Sequence, residues 1–202
     1  EQARNYYRDL NLENATATVR YEVNGVNYTR TVFSSFSDNV IMVRLEADKS
    51  KALSFSLSYD SPLKSAVTVK GRKLLVRCEG AEHEGIPAAM HAECRVEVKT
   101  DGVQNTTDKQ LVITDATTAT IYISAATNFV NYRDVSADAA KRAENYLKAA
   151  VRKPYETSLA AHVSLYKKQF DRVSFSLPAT EQSLAETDTR VLNFHKGNDL
   201  NL

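Results

Sequence analysis

From Ala15 to Val23 every odd position is apolar (Ala15, Ala17, Val19, Tyr21, Val23) and every even one is polar. Alternation with period two places one face of a strand on a core and the other in water. The run folds at Asn24-Gly25, the pair suited to the two positive-φ positions of a type I′ turn. A two-residue loop sets the register of the return: Val23 opposite Val26, Tyr21 opposite Tyr28, Ala17 opposite Val32. Arg30 interrupts the pattern by sharing the apolar face with Val19. From Phe33 onward the large side chains change parity, which predicts a bulge or a strand passing between two sheets.

The same pattern continues downstream. Asn5–Leu12 is a lead-in segment without a start signal. Asp38-Asn39 turn into a strand over Val40–Ala47, apolar on both parities at its start and therefore central. Leu53, Phe55, Leu57 and Tyr59 alternate with serines until Ser61-Pro62. Val67–Val69 and Leu74–Cys78 flank a turn at Gly71. Ala92, Cys94, Val96 and Val98 alternate with charged residues up to Asp101-Gly102. Leu111–Ile113 and Ala119, Ile121, Ile123, Ala125 complete the set. Short strands with turns about every ten residues predict a two-layer antiparallel β-sandwich.

At Asn128 the period changes. Ser136 is placed to cap a helix with Ala139, Ala143, Tyr146-Leu147 and Ala150-Val151 on one face. Pro154 suits the first turn of a second helix carrying Tyr155, Leu159, His162-Val163, Tyr166 and Phe170. A short return strand (Val173, Phe175, Leu177) and a last helix over Thr187–Lys196, ended by Gly197, are expected to follow. The fold class is therefore mainly β, with a sandwich over 1–130 and a C-terminal α-helical linker over 131–202.

Composition narrows the function. Lys+Arg 26 against Asp+Glu 25 gives net +1, so no global field favours nucleic acid or an anionic membrane. No apolar run approaches the roughly 20 residues of a membrane span. Glu1-Gln2-Ala3-Arg4 does not read as a signal peptide, so a mature or trimmed chain is expected. Cys78 and Cys94 lie equidistant from Ile86 on apolar parities, which leaves free thiols and a disulfide both open.

The standard motifs are missing: G-x-S-x-G, a phosphate-binding glycine loop, C-x-x-C and H-E-x-x-H. The densest polar stretch is Glu79–His91, with Glu79, Glu82, His83, Glu84 and His91 around Gly80, Gly85 and Pro87. Such donors bind zinc or move protons elsewhere. Here their flexible spacing favours a solvated loop or an interface over a metal site. His162 sits on an apolar stripe and reads as a packed histidine. His195, near a helix C-terminus, answers the dipole. Tyr122, Tyr132 and Tyr155 are read as packing residues, and the absence of Trp counts against a free-standing aromatic sugar platform.

Several runs together resemble the N-terminal region of glycoside hydrolase family 95, whose members are α-L-fucosidases and α-L-galactosidases. They are YYRDLNLENATATVRYEVNGVNYTRTVFSSFSDNVIMVRLEAD at 6–48, HEGIP at 83–87, ISAATNFVNY at 123–132, KPYETSLAAHVSLYKKQFDRVSFSL at 153–177 and TDTRVLNFHKGNDLNL at 187–202. The resemblance implies a β-sandwich that begins before Glu1, joined by a helical linker to an (α/α)6 catalytic barrel starting just after Leu202. It implies inverting hydrolysis of a terminal α-L-fucoside by barrel residues. No catalytic residue, cofactor or metal is then expected in this chain. Its partners would be its own barrel and, through the whole enzyme, a fucosylated oligosaccharide, in the periplasm or outside the cell. His83 and Glu84 are expected at the barrel interface near the substrate entrance. A free-standing carbohydrate- or surface-binding module, and an interaction scaffold, are the competing readings.

Overall fold

The computed structural model describes residues 2–197, 199, 201 and 202. The chain forms two compact units, Glu1–Lys167 and Lys168–Leu202. The first is built from strands in two antiparallel sheets, as the alternation predicts. They are β1 (Arg4–Asn11), β2 (Thr16–Val23), β3 (Val26–Ser34), β4 (Val40–Ala47), β5 (Leu53–Leu57), β6 (Ser65–Lys70), β7 (Lys73–Glu79), β8 (His91–Thr100), β9 (Val103–Thr106), β10 (Leu111–Ala116) and β11 (Thr118–Thr127). The larger sheet runs β1-β2-β3-β4-β11-β8-β7-β6 and the smaller β5-β10-β9. The lead-in segment is thus an edge strand, pairing with β2 from Asn11↔Thr16 outward. Its pattern gave no signal because its side chains are mostly exposed on both faces.

The hairpin forms in the expected register, with Val23↔Val26, Tyr21↔Tyr28, Val19↔Arg30 and Ala17↔Val32. Asn24 and Gly25 take φ of 51° and 70°. Tyr21 and Tyr28 stack with ring centroids 5.3 Å apart, and the Tyr28 hydroxyl donates to the Ala52 carbonyl (3.0 Å).

The parity change at Phe33 is neither a bulge nor a change of sheet. β3 pairs with β4 continuously through Phe33↔Met42 and Ser34↔Ile41. Two different covers lie on the two faces of one sheet. The smaller sheet packs on the face carrying Leu45, Leu74, Val76, Val96, Val98, Ala119 and Ile121, with Leu111 and Ile113 opposite them. Helices α1 (Ala139–Val151) and α2 (Tyr155–Phe170) cover the other face. There Phe33, Val40, Met42 and Tyr122 meet Leu147 and Ala150, with Tyr155 and Leu159 packed against them. Both parities of β4 and β11 are needed because both faces are dry there.

Beyond the edge of α1 the same face turns polar. Glu93, nearly buried, accepts from Arg77 Nη1 (3.1 Å) and Arg95 Nη1 (2.8 Å). Lys73 bridges Glu144 of α1 (2.6 Å) and Glu97 (3.7 Å). These charges fill the polar parity of β7 and β8. The cysteines are two free thiols, with Val76↔Cys94 and Cys78↔Ala92 in register. The register therefore differs by two residues from the symmetric pairing that would set them opposite each other. Burial pushes the Cys94 thiol up, and Cys78 Sγ lies 3.2 Å from the Tyr59 hydroxyl.

Asp138, not Ser136, caps α1: its Oδ1 accepts from Lys141 N (2.9 Å). In the second unit, α3 (Thr187–Asn193) runs into a 3-10 turn ended by Gly197 at φ 70°, as expected. No strand forms over 173–177 among the described residues. Val173 and Phe175 are 80% and 85% exposed. Alternation alone does not make a strand, because a lone strand leaves its backbone unpaired. Arg190 holds Asp199 by two bonds, Nε–Oδ2 2.6 Å and Nη2–Oδ1 2.9 Å.

Candidate functional site

Two long connections leave the same end of the larger sheet, where β7 ends, β8 begins and β11 ends. The first spans 80–90. Its neck closes where Gly80 N–H donates to the Met90 carbonyl (3.0 Å). A Cβ on Gly80 would lie 3.1 Å from that oxygen, so the approach suits glycine. At the tip, His83 and Ile86 exchange backbone bonds (3.2 and 2.9 Å) across Glu84 and Gly85, whose φ are 51° and 77°. This is a miniature type I′ hairpin. It carries His83 and Glu84 exposed to solvent. Beneath it, Arg77, Glu79, Glu82, Pro87, Met90 and His91 line a cleft of about 470 Å³.

The second connection, 128–138, folds on Asn131 and Asp134, which pair through their backbones (3.0 Å each way). Asn131 Oδ1 accepts from Arg133 N, and Asp134 Oδ1 from Ser136 N. The two loops expose Ile86, Met90, Phe129, Val130 and Tyr132. They are joined through Asn128, which is 4% exposed. Its Oδ1 accepts from His91 N (2.9 Å), and its Nδ2 donates to Ala89 O (2.9 Å) and Val135 O (2.8 Å). Its backbone adds bonds to His91 and Ala137.

On the helical side, His162 is a packed histidine, as its stripe predicts, and it also bonds to two loops. Phe36 N–H donates to Nδ1 (3.2 Å), so Nδ1 carries no proton. Nε2 therefore holds the hydrogen and donates to the Ala15 carbonyl (3.2 Å). The ring stacks between Phe33 (5.0 Å) and Tyr166 (6.2 Å).

Nearby, Asp38 is buried while Lys153, Ser35 and Ser37 donate to its carboxylate. Burial raises its pKa, but the hydrogen bonds from Lys153, Ser35 and Ser37 and the Lys153 charge together outweigh it, leaving the carboxyl below its ordinary value. A depressed folded value means stability that is complete above the unfolded value of 3.8 and is lost as pH falls through the folded one. Asp38→Asn is expected to cost about 2 kcal/mol at pH 7 and less at pH 3, in urea titrations of both proteins. An equal gap at both pH values would contradict this account.

Comparison with known sequences now decides the family. The pattern described as "Glycosyl hydrolase family 65, N-terminal domain" matches residues 1–132. The chain belongs to that family. It is the N-terminal domain of a glycoside hydrolase. Among curated relatives, Alpha-L-fucosidase 2 of Arabidopsis thaliana is 30% identical over 228 aligned positions, covering 98% of this chain and 27% of the relative. The domain thus spans about a quarter of that relative's length. Among solved structures, a protein described as a kojibiose phosphorylase from the human microbiome covers 80% of this chain and 23% of its own at 12% identity and a TM-score of 0.46. A family GH92 alpha-mannosidase from Bacteroides thetaiotaomicron covers 86% and 24% at 10% identity and a TM-score of 0.36.

Among the described residues no three His, Cys, Asp or Glu side chains come together in a metal-binding group, and no helix is long and apolar enough to cross a membrane. In this N-terminal domain the structure puts His83 and Glu84 on one tip and His91 at the loop's base. It leaves His162 and His195 in separate surroundings. Asn128 was visible in the sequence only as the point where the period changes.

Proposed function

We propose that this chain is the non-catalytic N-terminal domain of a family 95 enzyme that hydrolyses terminal α-L-fucosides or α-L-galactosides with inversion. The observation that carries the reading is the alignment of 98% of this chain, at 30% identity, with part of an α-L-fucosidase. The quoted runs, from 6–48 to 187–202, support the family number. In such a reaction one carboxylic acid protonates the leaving oxygen while a second group activates water. Both belong to an (α/α)6 barrel elsewhere in the protein, and that barrel is the domain's partner. A fucosylated oligosaccharide reaches the cleft between them, in the periplasm or outside the cell.

The domain's part in this is positional. Catalysis loses about a hundredfold for errors on the order of 1 Å in substrate placement. A sheet covered on both faces is a stiff base from which to hold the 80–90 and 128–138 loops. The exposed His83–Glu84 tip of the first loop is assigned to the substrate entrance.

The test uses 4-nitrophenyl α-L-fucoside with the full-length enzyme, its His83→Ala/Glu84→Ala double variant, and this chain alone. Hydrolysis is expected from the full-length enzyme only. The double variant should raise KM about threefold to tenfold, in the range of about 1 kcal/mol for lost polar contacts. Nitrophenol release by the isolated chain would overturn the non-catalytic reading, and unchanged kinetics in the double variant would remove the tip from the entrance.

A further inference from the structure

We infer that Asn128 is a positioning residue for the substrate-facing wall, making the 80–90 and 128–138 loops move as one body. The inference rests on the reading of those loops as the wall beside the catalytic cleft. It goes beyond that reading by naming the residue on which the wall's geometry depends.

The argument is one of hydrogen-bond capacity. A side-chain amide offers one acceptor oxygen and two donor hydrogens. Asn128 is nearly buried and directs all of this capacity at backbone groups: His91 N–H at the base of the first loop, Ala89 C=O within it, and Val135 C=O in the second. Serine is too short, and leucine lacks the polar atoms, to bridge three such groups. Aspartate keeps the acceptor but places a carboxylate against two carbonyls. Removing the amide therefore leaves buried backbone groups without partners and detaches the loops from each other.

The neck, tip and turn hydrogen bonds of the two connections stay within each one. Within the first loop the neck bond Gly80–Met90 and the tip bonds His83–Ile86 are internal to it. Within the second, the Asn131–Asp134 pair and the caps on Ser136 and Arg133 are internal too. Backbone bonds from Asn128 N to His91 O and from Ala137 N to Asn128 O extend the bridge from the same residue.

The experiment is made in the full-length enzyme with 4-nitrophenyl α-L-fucoside and hydrogen–deuterium exchange. Asn128→Ala is expected to raise KM about tenfold or more while kcat changes less than about threefold. Exchange should accelerate at 80–91 and 129–135 while β4 and β11 stay protected. Gly80→Val is the second variant. It opens the neck from outside, since even a Cβ there lies 3.1 Å from Met90 O and 3.3 Å from Ala88 Cβ, and it should raise KM in the same direction without touching β11.

Accelerated exchange with unchanged KM would overturn the role in substrate placement. Unchanged exchange in Asn128→Ala would overturn the bridge itself. If Asn128→Ala loses protection throughout, the KM of Gly80→Val decides: a rise supports the inference and no change overturns it. Failure of the parent reading looks different, because the wild-type enzyme would then leave the fucoside intact, while exchange would still report on the bridge.

Discussion

Replacing His162 by leucine is expected to destabilise the domain by about 3 kcal/mol, the sum of two partly buried backbone groups left unpaired. For a protein of this size that is a fall of roughly 6–12 °C in Tm. Leucine fills the volume between Phe33 and Tyr166 but provides neither the acceptor for Phe36 N–H nor the donor for the Ala15 carbonyl. Ala15 sits at φ 51°, costly for a residue with a Cβ, so it needs that anchor more than an extended residue would. The assigned tautomer makes a sharper forecast. Asparagine places an oxygen near the Nδ1 position and glutamine a nitrogen near Nε2. Each should recover about half of the loss, measured by urea unfolding at pH 7. Full stability of His162→Leu would show that the helix holds these loops by packing alone.

Gly102→Ala should cost about 2–3 kcal/mol, at the upper end for overpacking, and Gly102→Val more. Gly102 lies where the chain leaves β8 for the smaller sheet. A Cβ there would stand 2.5 Å from the Thr114 carbonyl oxygen and 2.7 Å from both the backbone N and the Cβ of Ala116. Those obstacles are mainly backbone and cannot rotate away. The same crossing is tied by Asp101, whose Oδ1 accepts from Thr117 N and Thr118 N (2.9 Å each). The returning strand is therefore fixed at the point where the added methyl must push it. Differential scanning calorimetry of Gly102→Ala reads the effect. A midpoint within 1–2 °C of the wild type, less than about 1 kcal/mol, would mean that the crossing is looser than these distances imply.

These two residues mark where reading by pattern succeeds and where it stops. His162 was legible as a packed residue because its stripe recurs every three to four positions. Its two loop partners were not legible, since they lie 126 and 147 residues away. Gly102 was legible as a turn, but not as a crossing between sheets. Likewise His83 and Glu84 stood out by composition, and the I′ hairpin that carries them is encoded locally by Glu84-Gly85. Asn128 has no such signal. Its role depends on groups from three segments meeting around it, and one asparagine after a strand looks like any other.

The chain's own order of residues determined the β-rich class, the register of the Asn24-Gly25 hairpin, the central place of Val40–Ala47 and the change to helix after β11. All of these follow from periodicity and turn chemistry, which act within about ten residues. Only the tertiary structure decided that Phe33 and Val32 face different covers, that Asn5–Leu12 joins the sheet and that Val173–Leu177 does not become a strand. Each depends on what lies on the other side of a segment. Burial and strand pairing are made between residues far apart in the chain, so no local pattern specifies them.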